Sequence, residues 1–121
     1  MAKPDLQTAT ILATVDATIA SGAALSDAAE LAGFHVAGVL VPAAWTTADI
    51  TLQGSLDGVS FFDMHDASGE IALPGNAGAM IAINPATLLP CKVIKVRSGT
   101  AGTPVNQAAE RVLTVVLANL G

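Results

Sequence analysis

Hydrophobic and polar residues alternate one by one along much of this chain. Ile11, Ala13, Val15, Ala17 and Ile19 fall on one side of an extended backbone, and Thr10, Leu12, Thr14, Asp16 and Thr18 fall on the other. A period of two, with β-branched residues at this density, predicts a strand and disfavours a helix. The same period returns at residues 78–85, where Met80, Ala82 and Asn84 oppose Ile81 and Ile83. It returns again at residues 92–97, where Val93, Lys95 and Arg97 oppose Lys92, Ile94 and Val96. Residues 34–41, FHVAGVLV, form an apolar run closed by Pro42, which suits a buried strand. Further strands are expected at ITLQGS (residues 50–55), at residues 60–65, at the short EIALP, and at ERVLTVVLANL near the end of the chain.

Between these runs lie breaks. In SGAALSDAAELAG, Ser26 is placed to cap one helical turn over residues 27–31, with Gly33 to end it; a loop holding a short turn is the expectation. AAWTTAD is a connection. PATLLP, bounded by Pro85 and Pro90, reads as a turn or a short 3₁₀ element, and SGTAGTPVNQAA as a long loop. Residues 1–8 are polar and without period, so they read as a flexible arm. Residues 9–121 then make one domain. Its class is all-β, an antiparallel β-sandwich or jelly roll of about eight strands.

Composition sharpens this. Of 121 residues, 52% are hydrophobic, but 24 of them are Ala and only four residues are aromatic. A core of Ala, Val, Ile and Leu is thin, and a domain of this size is marginal alone, so oligomerisation is expected. Charged residues make up 12%, about half the usual share. That suits a surface partly covered by other subunits. The net charge is −5, and five basic residues, four of them in two short segments (Lys92, Lys95 and Arg97; Arg111), make no nucleic-acid patch; the absence of Tyr argues against base stacking, so no nucleic acid is expected as a partner. No run of about 18 apolar residues is present, so no membrane span is expected. The N-terminus lacks the pattern of a signal peptide, so synthesis in the cytoplasm is expected, without export by the general secretory route.

The chemistry-bearing residues gather in SLDGVSFFDMHDASGE, which holds Asp57, Asp63, Asp66, Glu70 and His65. The spacing of these acids is not that of a calcium loop, which alternates its ligands and ends on a Glu at about the twelfth position. LDG and the Ser68–Gly69 pair are turn signals, because Asp and Gly accept the positive φ of tight turns. Asp57 and Asp66 then serve as turn residues bonded to their own backbone, with a short strand between. On that strand Phe61 opposes Phe62, and the phenylalanines are expected to fill the thin core on one face. Ser60, Asp63 and His65 do not make a triad, since alternation sends Ser60 to the opposite side. His35, in an apolar run, reads as a satisfied or partly buried histidine rather than a ligand. Cys91, the only cysteine, reads as a small buried hydrophobe. No catalytic, cofactor-binding or metal-binding residues are expected, and the chain does not read as an enzyme.

RSGTAGTPVNQ is rich in Gly and Thr but lacks the Lys and the following helix of a phosphate loop. It reads as a surface loop or an intersubunit contact. Thr100, Thr103, Pro104, Asn106 and Gln107 are therefore candidate partner-binding residues. Trp45, the only Trp, joins them as a residue that either plugs one end of the sandwich or anchors a partner.

Two resemblances follow. Ser55, Asp57, Gly58 and Phe61, with Lys92, Ile94, Lys95, Val96 and Arg97, resemble the layout of discoidin-like, galactose-binding-like jelly rolls, in which the motif is mostly structural. The order of VPAAW, GSLDG and KVRSGTAGTPVNQAAERVLTVVL, within residues 18–117, is similar to small structural proteins of tailed-phage, prophage and gene-transfer-agent particles. That resemblance implies a virion component: a head decoration or cement protein, or the base of a head spike or fibre. It implies the major capsid protein or other virion proteins as partners, a place on the capsid surface, and no catalytic residues. A homo-oligomer, with a trimer as the first expectation, fits a capsid lattice. A carbohydrate-binding module of discoidin type, used for host attachment, is the alternative.

Overall fold

The computed structural model describes residues 12–84 and 91–119. The expected arm at residues 1–8 and the PATLLP turn lie outside the described residues. Eleven strand segments and no helix occur among the described residues: β1 (Leu12–Ile19), β2 (Ala29–Glu30), β3 (His35–Leu40), β4 (Ile50–Ser55), β5 (Phe62–Asp63), β6 (His65–Asp66), β7 (Gly69–Glu70), β8 (Ala72–Leu73), β9 (Met80–Ala82), β10 (Val93–Ser98) and β11 (Arg111–Ala118). Their pairing is nested. β1 pairs with β11, β2 with β10, β3 with β9, and β4 with β5 and β8, all antiparallel. The pairs alternate between two sheets, ordered β1-β11-β3-β9 and β2-β10-β4-β5. A long hairpin rolled up in this way is a jelly roll, so the chain is an all-β sandwich.

Nine of the eleven segments fill eight positions, four in each sheet, because β5 and β8 share one; β6 and β7 pair only with each other. Phe62 and Asp63 pair with Gly54 and Gln53, and Ala72 and Leu73 pair with Thr51 and Ile50. Between them the Met64 N–H donates to the Leu52 carbonyl at 3.0 Å, and the Ile71 N–H donates to the Met64 carbonyl at 2.9 Å. Residues 65–70 therefore leave this edge strand as a small hairpin, β6–β7, and return to it.

The alternation of the sequence becomes the two sides of the sheets. Ala17 and Ile19 of β1 and Leu113 and Val115 of β11 point inward, against Ile50, Leu52, Ile94 and Val96 of the second sheet, and all are fully buried. Each of the Val, Leu and Ile side chains among them contributes about 1.5–3 kcal/mol. In β3 the strict period fails. The register with β11 shifts between Val116 and Leu117, which pair with Gly38 and Val36, so Ala37 is an extra residue. This bulge turns both Val36 and Val39 into the core although they are three residues apart.

The helical turn considered for residues 27–31 does not form. Ser26 and Asp27 instead tie an extended segment between the sheets. The buried Ser26 hydroxyl accepts the Val96 N–H at 2.8 Å and donates to the Asp27 carbonyl at 2.7 Å. Asp27 accepts the Thr18 N–H on Oδ1 at 2.9 Å, and its own N–H donates to the Thr18 carbonyl at 3.0 Å. Helix-capping side chains have been used to bond neighbouring strands, which leaves Ala29 and Glu30 free to pair with β10.

Candidate functional site

The alternation sets Arg97 with Val93 and Lys95 on the side of β10 opposite Ile94 and Val96, and that side is the outer one of its sheet. Arg97 is nonetheless only 7% exposed. Its Nη2 donates to Asp63 of β5, and its Nη1 donates to Glu70 of β7 at 3.1 Å and to Thr51 of β4 at 3.3 Å. Glu70 in turn accepts the Ala101 N–H at 3.1 Å, and the Thr51 hydroxyl donates to the Gly99 carbonyl at 2.7 Å. One guanidinium thus ties the edge strand, the β6–β7 hairpin and the loop after β10 onto the outer face of the second sheet. The planar fork of Arg serves two carboxylates at once, which a lysine does not.

This network gives a pH dependence. The Arg97 hydrogen bond holds the Asp63 carboxyl below the usual carboxylate range, with the Arg97 charge acting in the same direction and burial opposing it. A folded pKa below the unfolded one, about 3.9 for Asp, contributes stability above that value and loses it as pH falls through the folded pKa. Thermal melts from neutral pH down to about pH 2.5 should therefore show a steeper acid loss in the wild type than in Asp63→Asn, the curves converging at the acid end. Parallel curves would show that the pair does not contribute.

The other acids of the stretch behave as turn residues. Asp57 Oδ1 accepts the N–H groups of Val59 at 2.8 Å and Ser60 at 2.9 Å, and the Ser55 hydroxyl donates to it at 3.0 Å. These bonds, Ser60 first and Val59 next, lower the Asp57 pKa. Asp66 accepts the Ser68 N–H at 2.8 Å. Asp63 is committed to Arg97 and Ser60 lies exposed in the turn. Among the described residues no group of three or more His, Cys, Asp and Glu side chains is arranged to hold a metal ion.

The candidate partner-binding residues divide. Thr103, Pro104 and Asn106 are exposed and Thr100 is half-buried, at the rim of a self-bonded loop closed by the bridge between Gly99 and Pro104. The Thr103 N–H donates to the Thr100 hydroxyl at 3.0 Å. Trp45 and Gln107 do not present themselves to a partner. Trp45 belongs to the core, its Nε1 donating to the Ala48 carbonyl at 3.0 Å. Gln107 is 0% exposed. Its Oε1 accepts the Thr46 N–H at 2.8 Å and Arg111 Nε at 3.1 Å, while its Nε2 donates to the Thr46 carbonyl at 3.0 Å and the Ser98 hydroxyl at 2.6 Å. The loop starts at Gly99, whose φ is +88° and where a Cβ would meet the Thr103 carbonyl at 2.5 Å. Gly99→Ala should cost about 2 kcal/mol, from left-handed strain and this clash, read as a lowered urea midpoint with an unchanged slope.

The phenylalanines part as expected but do not fill the core. Phe61 is half-buried under Lys95, whose Nζ lies 4.4 Å from the ring centroid. Phe62 pairs with Gly54 on the edge strand and is 67% exposed, because no further strand covers that edge. It lines a shallow depression of about 250 Å³ with Leu56, Met64, His65 and Cys91. Cys91 is half-buried there, its thiol 3.2 Å from the Met64 sulfur, and burial raises its pKa.

The outer face of the first sheet is a second surface, one the sequence did not single out. Residues paired across it are Thr14, Val116, Gly38 and Ala82 in one row, and Asp16, Thr114, Leu40 and Met80 in the next. Leu12 and Val112 stand at the two ends of the β1–β11 pair. Of the seven exposed large hydrophobic residues among the described ones, Leu12 (68%), Leu40, Met80 (58%) and Val112 lie on this face, and Leu56, Val59 and Phe62 lie beside β4 and β5. Leu40 and Met80 are direct neighbours across the β3–β9 pair, and Leu12 stands two rows away at the other end of the face. A Cβ at Gly38 would meet the Ile81 carbonyl at 3.0 Å and the Met80 sulfur at 3.7 Å, so only a glycine fits there. No family model, curated protein or solved structure matches this chain.

Proposed function

We propose that this chain is a structural virion protein of a tailed phage, prophage or gene-transfer agent, acting as a capsid-surface decoration or cement subunit or as the base of a head spike or fibre. The observation that carries the reading is the gathering of exposed apolar side chains into two separate surfaces, one on the outer face of the first sheet and one at the β4–β5 edge of the second. A subunit that stabilises a lattice touches more than one neighbour, and two apolar surfaces on a chain with 12% charged residues meet that need. The major capsid protein is the expected partner. The edge surface, with Leu56 and Val59 on the turn after β4 and Phe62 on β5, suits insertion between capsid subunits. The sugar-binding alternative draws less support: of the aromatic side chains, Phe62 alone is exposed enough to stack on a sugar ring.

The test uses particles produced without this protein. Purified wild-type protein should co-sediment with them and raise their disruption temperature, and the double variant Leu56→Ser with Phe62→Ser, folded by circular dichroism, should bind at least about 30-fold more weakly. Absence of wild-type binding overturns the reading. A hit on a glycan array lost in Phe62→Ser would replace it with the alternative.

A further inference from the structure

We infer that the open edge of β1 takes β1 of a second copy of this chain as an antiparallel neighbour, joining two first sheets into one across a two-fold axis at Thr14. The inference stands on the backbone of β1 and does not need the virion reading. β1 is an end strand of its sheet and pairs on one side only, with β11. At eight residues it is the longest end strand among the described residues; β9 has three, and β2, β5 and β8 have two each. Thr18 shows which groups face outward, since its N–H and its carbonyl both bond Asp27, away from β11. The alternation of an antiparallel ladder turns the N–H and carbonyl groups of Leu12, Thr14 and Asp16 the same way. No described residue bonds them on that side.

What these groups need decides the occupant. A row of N–H and carbonyl groups at every second residue is matched by another extended strand. Asp27 closes the row at Thr18, so the open part runs from Leu12 to Asp16. An antiparallel pair centred on Thr14 sets Leu12 against Asp16 of the second copy and Thr14 against Thr14. It bonds the N–H and the carbonyl of all three residues in both copies. A register centred on Asp16 would set Thr14 against Thr18, which Asp27 already holds.

The side chains agree with that register. On the inner side of β1, Ala17 and Ile19 are 0% exposed, whereas Ala13 and Val15 pack against the core but are only half-buried. Centring on Thr14 places Ala13 of each copy opposite Val15 of the other, so the pair covers the part of the inner side that the chain's own fold leaves open. On the outer side the two Asp16 carboxylates stand about 14 Å apart, beyond the screening distance of about 8 Å at physiological salt. The devices that keep an edge strand single are missing from Leu12 to Asp16, which has no Lys, no Pro and no bulge. Main-chain bonds carry this contact more than area does, so it is weak, with a dissociation constant on the order of 100 µM. A strand edge meeting itself closes at two copies, not at the three expected from the sequence.

Sedimentation velocity of the full chain from about 10 µM to about 1 mM tests this. The wild type should pass from monomer to mostly dimer. Thr14→Pro removes the outward N–H at the axis and leaves the β1–β11 ladder its bonds, so it should dimerise at least about 30-fold more weakly and keep the wild-type melting profile. Thr14→Lys sets like charges opposite each other at an exposed position; it should weaken the dimer about 5-fold, and it decides the matter should the proline unfold the chain. Thr14→Cys should give a disulfide-linked dimer on mild oxidation, because residues bonded to each other across an antiparallel pair have Cα atoms about 5.5 Å apart. Val59→Cys, at a position 82% exposed, and the wild type should not. A wild type monomeric throughout with Thr14→Cys linking no faster than Val59→Cys, a trimer, or a dimer indifferent to the folded Thr14 variants would each overturn the inference. So would a monomer whose Thr14 and Asp16 amides are as protected from exchange as those of Ala13 and Val15, since another segment of the same chain would then fill the edge.

Discussion

Replacing Arg97 with methionine should destabilise the protein by about 3 kcal/mol, seen as a fall in melting temperature of roughly 10 °C. The side chain is almost fully buried, and methionine fills much of its volume, so the loss is electrostatic more than steric. What is left behind is Asp63 and Glu70 facing each other's region without their common cation, and the Thr51 hydroxyl without one of its bonds. The Asp63 side chain is 37% exposed, and water on that side lowers the cost below that of a fully enclosed pair. The consequence is local as well as global. Ala101 loses its anchored acceptor, so the loop after β10 and the β6–β7 hairpin should exchange amide protons faster than the β1–β11 ladder does. The triple variant Arg97→Met, Asp63→Asn and Glu70→Gln should recover most of the lost stability, because removing all the charges together leaves no orphan. If the triple variant is as unstable as the single one, packing and not charge explains Arg97.

Gln107→Ala should cost about 3–4 kcal/mol, the largest effect expected of a polar substitution in this chain. The glutamine bridges both backbone groups of Thr46, the Ser98 hydroxyl and the Arg111 side chain, from a position with no access to solvent. Truncation leaves the Thr46 N–H and carbonyl without these partners and opens a cavity beside the end of β10. Gln107→Glu separates the two roles. It keeps the acceptor for the Thr46 N–H and for Arg111, but has no donor for the Thr46 carbonyl and puts a negative charge in a buried place. Its stability should approach that of Gln107→Ala at neutral pH and recover as pH falls toward 4, when a protonated carboxyl donates again. A Gln107→Ala protein within about 1 kcal/mol of the wild type by urea titration would show that water replaces the amide.

Much of the fold was legible in the order of residues. The strand expected at ITLQGS is β4, and period two separated Ile81 and Ile83, which the structure buries, from Met80, Ala82 and Asn84, which it leaves exposed. Asp57 and Asp66 were legible as turn residues because their bonds run to N–H groups two or three residues away. The second acid pair was not. Asp63 and Glu70 reach Arg97 across 34 and 27 residues, and nothing local distinguishes them from Asp57 and Asp66. Gln107, placed among partner-binding candidates for its loop, bonds Thr46 from 61 residues away. The phenylalanine pair failed for a related reason. Alternation separated Phe61 from Phe62 correctly, but only the sheet order reveals that their strand is an edge.

By itself, then, the sequence determined which segments are extended, where they turn, and which side chains of each strand share a side. These follow from the two-residue repeat of the pleat and from short-range turn bonds. The tertiary structure decided which strands became neighbours, and so which outward sides were covered. On the second sheet the hairpin and the loop after β10 close over Arg97 and bury it. On the first sheet no other described segment covers Leu40 and Met80, and they stay exposed. The physical reason is that alternation fixes the direction of a side chain relative to its own backbone, while burial depends on what the rest of the chain brings against it.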